Sequence, residues 1–164
     1  MKCMTTETNK KAAVPEVIHI KFPGDIDYIP PIRKFISDLL NSGDFSDKFA
    51  YRSEIIVDEL CNNAITFGCT HVGAEIELLC SIFPDRIEIE LKDEGGNEED
   101  LIRLKTAINN KNPIKRKISK TLKRKNLGLE IVRMLSEELN FSIGEDNVTS
   151  IRVVRKRSAE SQPN

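Results

Sequence analysis

Ile55-Ile56-Val57-Asp58-Glu59-Leu60-Cys61-Asn62-Asn63-Ala64-Ile65-Thr66-Phe67 is the stretch whose reading decides the fold. At about 100° per residue, Phe49, Ser53, Ile56, Leu60, Ala64 and Phe67 share one face, which predicts a core-facing helix. Ser46 or Asp47 can cap its start, and Gly68 marks its end. Glu59 and Asn63, one turn apart, then lie side by side at the edge of the buried stripe. Asp58 and Asn62 have the same spacing and are expected to point toward solvent. A carboxylate and a carboxamide at the border of core and water pack poorly, but they suit a metal and a water molecule. Mg²⁺ takes oxygen ligands, keeps several waters and uses one or two protein groups beside substrate phosphates. Asn63 could be such a ligand and Glu59 a base. The competing reading is a pair of solvated bystanders, so the surroundings must decide.

On the N-terminal side, Val17 to Phe22 is rich in β-branched and aromatic residues, which predicts a strand closed by Pro23-Gly24. His19 within it reads as structural. Ile32, Phe35, Ile36, Leu39 and Leu40 then recur at helical spacing up to the stop signal Asn41-Ser42-Gly43. On the C-terminal side, Ala74 to Phe83 and Arg86 to Lys92 read as a hairpin across Pro84-Asp85. In the second strand Ile87, Ile89 and Leu91 alternate with Glu88, Glu90 and Lys92, so one face is buried and the other is exposed. Asp93-Glu94-Gly95-Gly96-Asn97 follows. A carboxylate at a strand end before two glycines lets the backbone turn sharply and approach a ligand; the bland alternative is an acidic turn.

Glu98 to Asn126 is the least regular part, although Leu101, Leu104, Lys105 and Ile108 could form a short helix before Asn109 to Pro113 interrupts it. Between Lys105 and Lys125 there are nine Lys or Arg and no Asp or Glu, a charge that suits phosphate and a mobile functional lid. From Leu127 the pattern predicts another helix, with Gly128, Ile131, Val132, Leu135 and Leu139 on one face. Gly128 falls in the first turn, where unpaired amides and the dipole favour anions; it could equally serve close packing. Asn140 to Gly144 and Thr149 to Val154 read as closing strands, and Arg155 onward as a polar tail.

At 164 residues the chain is expected to form one domain over 15–157, with tails at 1–14 and 158–164 and the lid at 97–126. Its 39% hydrophobic and 31% charged residues contain no run of membrane-spanning length and no signal-peptide segment, so a cytoplasmic location is expected. Cys3, Cys61, Cys69 and Cys80 lack zinc-site spacing, and Cys61 and Cys80 read as small apolar residues. His71 reads as a surface residue without a partner. A net charge of −1 gives no bias toward nucleic acid.

Three features in this order resemble the GHKL (Bergerat-fold) ATPase superfamily over about Val17 to Arg155. Glu59-x-x-x-Asn63-Ala64 resembles its N box, Asp93-x-Gly95 its first glycine box, and Leu127-Gly128-Leu129-x-Ile131-Val132 its second. The length is most similar to the single-domain branch, the anti-sigma-factor serine/threonine kinases. The resemblance implies an α/β (α+β) two-layer sandwich, a mixed, largely antiparallel sheet with about three helices on one face. It implies ATP and Mg²⁺, with Glu59 orienting or deprotonating the nucleophile and Asn63 holding the metal. Asp93 would recognise the adenine amino group, Gly95 would let the base approach, and Thr149 would support Asp93 through water. Gly96, Lys125, Leu127 and Gly128 would complete the nucleotide contacts. The partners implied are a sigma factor and an anti-sigma factor antagonist as phosphoacceptor, with the protein a homodimer.

The chain departs from the pattern at Asn97 and Asn126, where the boxes carry glycine. Asparagine tolerates left-handed backbone, so the turns are expected to survive while approach to phosphate suffers. A partner-binding regulator with weak or no kinase activity is therefore the alternative. Nucleic-acid binding through 105–125 ranks below both, because that segment has little aromatic content to stack on bases.

Overall fold

The computed structural model describes residues 14–69, 71–96, 98–109, 127–144 and 146–157. Strand β1, Glu16–Pro23, leads through a 3₁₀ turn into helix α1, Ile29–Ser42, which carries prolines in its first turn and ends at Gly43. Helix α2, Asp47–Asn63, starts where Ser46 Oγ accepts a bond from Phe49 N at 3.3 Å. It runs on as a π turn, Ala64–Gly68, and then the chain forms the hairpin β2, Glu75–Phe83, and β3, Arg86–Asp93. Helix α3, Glu98–Asn109, helix α4, Leu127–Met134, and the strands β4, Glu138–Ile143, and β5, Thr149–Lys156, complete it.

The five strands form one sheet in the order β1-β2-β3-β5-β4, and every pairing is antiparallel. Ile76, Leu78 and Cys80 of β2, Ile87, Ile89 and Leu91 of β3, and Ile151 and Val153 of β5 point into the core. They meet Ile36 and Leu40 of α1, Ile56 and Leu60 of α2, and Val132 of α4. The α+β sandwich is the one expected. Burying these side chains is its main stabilisation, at roughly 25 cal/mol per Å² of apolar surface. Helix α2 lies between α1 and α4 and also touches β3. The other sheet face carries paired charges: Glu77 lies 2.6 Å from His19 and 3.3 Å from Lys21, and Glu88 2.8 Å from Arg86 and 2.6 Å from Arg152.

Several local expectations change. Helix α4 stops at Met134, and Leu139 belongs to β4, where it packs inward beside Phe141 at the strand period of two. Arg155 is not in a tail: β5 continues through Lys156, and strand alternation after Ile151 and Val153 turns Arg155 into the core. Its guanidinium donates to Phe49 O (2.8 Å), Ser53 Oγ (2.5 Å) and Leu135 O (2.8 Å), and lies 4.0 Å from the centre of the Phe49 ring. Burial lowers its pKa to about 10, so it stays charged at neutral pH. Asp58 faces α1 rather than solvent, with Arg33 Nη1 2.6 Å away, and Asn62 Nδ2 bonds to Asp58 O at 2.8 Å. His71 has a partner, Glu94, at 2.6 Å. The start of the expected lid is the regular helix α3, whose Ile108 is buried; 110–126 lies outside the described residues.

Candidate functional site

Asp93 ends β3 directly opposite Thr149, the first residue of β5, so the register of the two strands alone puts a hydroxyl beside a carboxylate. Thr149 Oγ1 donates to Asp93 Oδ1. Gly95 N donates to the same oxygen at 2.9 Å. Gly95 adopts φ +80°, and a Cβ there would lie 3.0 Å from Asn147 C and closer still to its oxygen. Only glycine makes this turn without strain, and the turn is what aims the amide at Asp93. Asp93 is 5% exposed, and burial raises its pKa against the two hydrogen bonds that lower it.

The back of the Asp93 carboxylate rests on Gly68, where a Cβ would lie 2.6 Å from Oδ2 and closer still to Cγ and Oδ1. The sequence marked Gly68 only as a helix end. Spacing carries no signal for a contact between residues 25 positions apart.

Asn63, Asp93, Gly96 and Thr149 line one narrow cleft, walled closely by Ala64, Phe67, Leu101 and Ile151. Its apolar walls, with a carboxylate and a hydroxyl at one end, suit a flat heterocycle bearing an amino group. Both hydrogen bonds to Asp93 land on Oδ1, which leaves the lone pairs of Oδ2 for a ligand donor. Phe67 and Leu101 entered the sequence reading only as apolar positions, and Ile151 only within a strand, because a wall residue looks like a core residue in one dimension.

Asn63, at the end of α2, is 8% exposed. Its Nδ2 donates to Glu59 O at 2.7 Å, which commits the amide nitrogen and leaves Oδ1 as the free acceptor. An amide oxygen at a cleft wall fits Mg²⁺ shared with phosphates. No group of three or more His, Cys, Asp or Glu among the described residues could hold a metal by itself.

One turn earlier, the Glu59 carboxylate lies against the first turn of α4, where a Cβ on Gly128 would be 2.9 Å from Glu59 Cδ and closer still to Oε2. Burial first, and then the charge of Asp58, raise the Glu59 pKa, which favours proton acceptance nearer neutrality. Leu127 is exposed and lines no part of the cleft. Lys125, Asn97 and Asn126 lie outside the described residues. The structure thus gathers Asn63, Asp93, Gly95, Gly96 and Thr149 at one end and Glu59 with Gly128 at the other, one helical turn from Asn63.

The model of the histidine kinase-like ATPase domain family matches residues 22–155. The chain belongs to this family. The matched span begins at the end of β1 and ends in β5, so it takes in strands β2 to β4 whole, with the cleft and Glu59. As an ATPase domain it binds ATP. No curated protein matches the chain at a significant level. No helix among the described residues is long and apolar enough to cross a membrane.

Proposed function

We propose that this ATPase domain is a serine/threonine protein kinase of the anti-sigma-factor type, which sequesters a sigma factor and transfers the ATP γ-phosphate to an anti-sigma factor antagonist. The observation that carries the reading is the joint placement of Asn63, Asp93 and Thr149 on one cleft with the Glu59 carboxylate one turn away. The antagonist is suggested by the resemblance to single-domain kinases, and the same resemblance supports a homodimer.

In the proposed reaction Asp93 accepts a hydrogen bond from the adenine amino group, and Thr149 and Gly95 hold the carboxylate for it. The acceptor hydroxyl attacks the γ-phosphorus as the bond to the β-phosphate oxygen breaks, and ADP leaves. Glu59 takes the hydroxyl proton. Mg²⁺, when bound by Asn63 Oδ1 and the phosphates, would neutralise their charge. Positioned general bases contribute about 10²–10⁴-fold, so Glu59→Gln should lower phosphate incorporation into an antagonist by that factor. ATP affinity should stay within about twofold, because the base does its work in the transition state. Titration calorimetry beside a radiolabel transfer assay decides it, and unchanged transfer would remove Glu59 from the role.

Asn97 and Asn126, at the glycine positions of the two boxes, favour a second reading, a partner-switching module without phosphotransfer. It predicts tight partner binding with no label transferred to any antagonist. Binding to nucleic acid through 105–125 would show instead as affinity that collapses with added salt.

A further inference from the structure

Gly128 has two possible uses, and the geometry separates them. One is to bring helix amides close to phosphate. The other is visible in the structure: the space that a side chain would fill at Gly128 holds the end of Glu59. We propose that Gly128 is a positioning residue for Glu59, whose carboxylate lies where it does because α4 has no side chain at that point. The proposal deepens the kinase reading and rests on it for the word base, but the contact itself does not depend on that reading.

Three observations support the assignment. Gly128 has no left-handed backbone that would require glycine, since Gly73 and Gly95 are the glycines with positive φ among the described residues. Glycine forms helix less readily than alanine, so its presence at the second position of the eight-residue α4 calls for a local reason. The atoms that a methyl group would meet are Oε2, Cδ and Cγ of Glu59, with no other residue within 4 Å among its three nearest neighbours. These atoms belong to a flexible side chain, and no hydrogen bond or ion pair holds the carboxylate among the described residues. A methyl group at 128 would therefore turn Glu59 aside rather than break the fold.

The test is a thermal cycle joined to a kinetic one. Gly128→Ala is made in the wild-type chain and in a Glu59→Ala background, and unfolding is followed by circular dichroism. With Glu59 shortened, the helix gain of alanine should appear in full as a rise in Tm of a few degrees; with Glu59 present the rise should be smaller or reversed. Equal shifts in both backgrounds overturn the proposal. If Gly128→Ala alone fails to fold, recovery of folding in the double variant supports it, and failure of both overturns it.

In the kinetic arm, Gly128→Ala should lower kcat for phosphotransfer by about tenfold or more, the scale of a misplaced reacting group. ATP affinity should change less than about threefold, and Glu59→Asp in the Gly128→Ala chain should regain part of kcat because its shorter arm clears the methyl. Lost affinity with kcat kept would assign Gly128 to phosphate contact and overturn the proposal. A wild-type chain that transfers no phosphate refutes the kinase reading alone, and the thermal cycle then decides the positioning role.

Discussion

Asp93 and Glu59 are both carboxylates laid over a glycine, yet they are held in opposite ways. Asp93 has a short side chain, two hydrogen bonds to one oxygen and Gly68 behind it. Glu59 has a longer arm, Gly128 beside it and no hydrogen bond to its carboxylate among the described residues. A group that recognises a fixed edge of a ligand works best when it cannot move, since ordering it on binding would cost conformational entropy. A group that takes a proton must follow the reacting atoms. The same device, a missing Cβ, therefore makes room for a carboxylate at both ends of the site, with hydrogen bonds added at the Asp93 end.

Alanine at the two glycines should expose this contrast most strongly. Gly68→Ala forces a methyl into a carboxylate that cannot swing away, and overpacking of this kind costs about 1–3 kcal/mol. Urea unfolding should show that loss, with ATP binding reduced alongside. A stability near that of the wild type would mean that Asp93 is as loose as Glu59, and the comparison would fail.

Asp93→Asn is next in size. A hydrogen bond to a charged group contributes about 1.5–3 kcal/mol, so ATP affinity should fall by roughly 10–100-fold, whereas Glu59→Gln should leave it almost unchanged. Thr149→Val keeps the volume but removes the bond to Asp93 Oδ1, and should weaken ATP by about fivefold, the effect of about 1 kcal/mol. Calorimetric titration of the three variants ranks them; equal losses would dissolve the division between anchor and base.

The smallest effect is in pH dependence. Burial raises the Asp93 pKa in the folded state, so the folded chain binds this proton more tightly than the unfolded chain. Stability from this group is then highest at acid pH and is lost as pH rises through the raised folded value. Above the ordinary carboxylate range, Asp93→Asn should flatten that part of the stability profile. A variant with the wild-type slope would show that the carboxylate is better solvated than its burial indicates.

The periodic elements were legible because each depends on neighbours in sequence. The stripe from Phe49 to Ala64 is buried as its spacing predicts, and the alternation of Ile87, Ile89 and Leu91 fixed a strand with one buried face. Where two periods overlap, the reading slipped: Leu139 fits the helical spacing of α4 and the strand spacing of β4, and only packing chooses between them. Arg155 was lost to the tail because a charge at the end of an apolar run looks solvated until its acceptors, Phe49 O, Ser53 Oγ and Leu135 O, are seen around it. Asp58 failed in the same way, since its partner Arg33 is on another helix.

By itself the sequence determined which residues are the candidates for the chemistry: Glu59 and Asn63 one turn apart on a helix, Asp93 at a strand end, Gly128 at a helix start. These are local facts, set by 3.6 residues per turn and by where glycine interrupts a strand. Tertiary structure decided what those groups do to one another. The antiparallel register of β3 and β5 joined Asp93 to Thr149 across 56 residues, and the packing of α2 against α4 laid Glu59 over Gly128. Such contacts depend on distances through space of a few ångströms, and a one-dimensional pattern has no term for them.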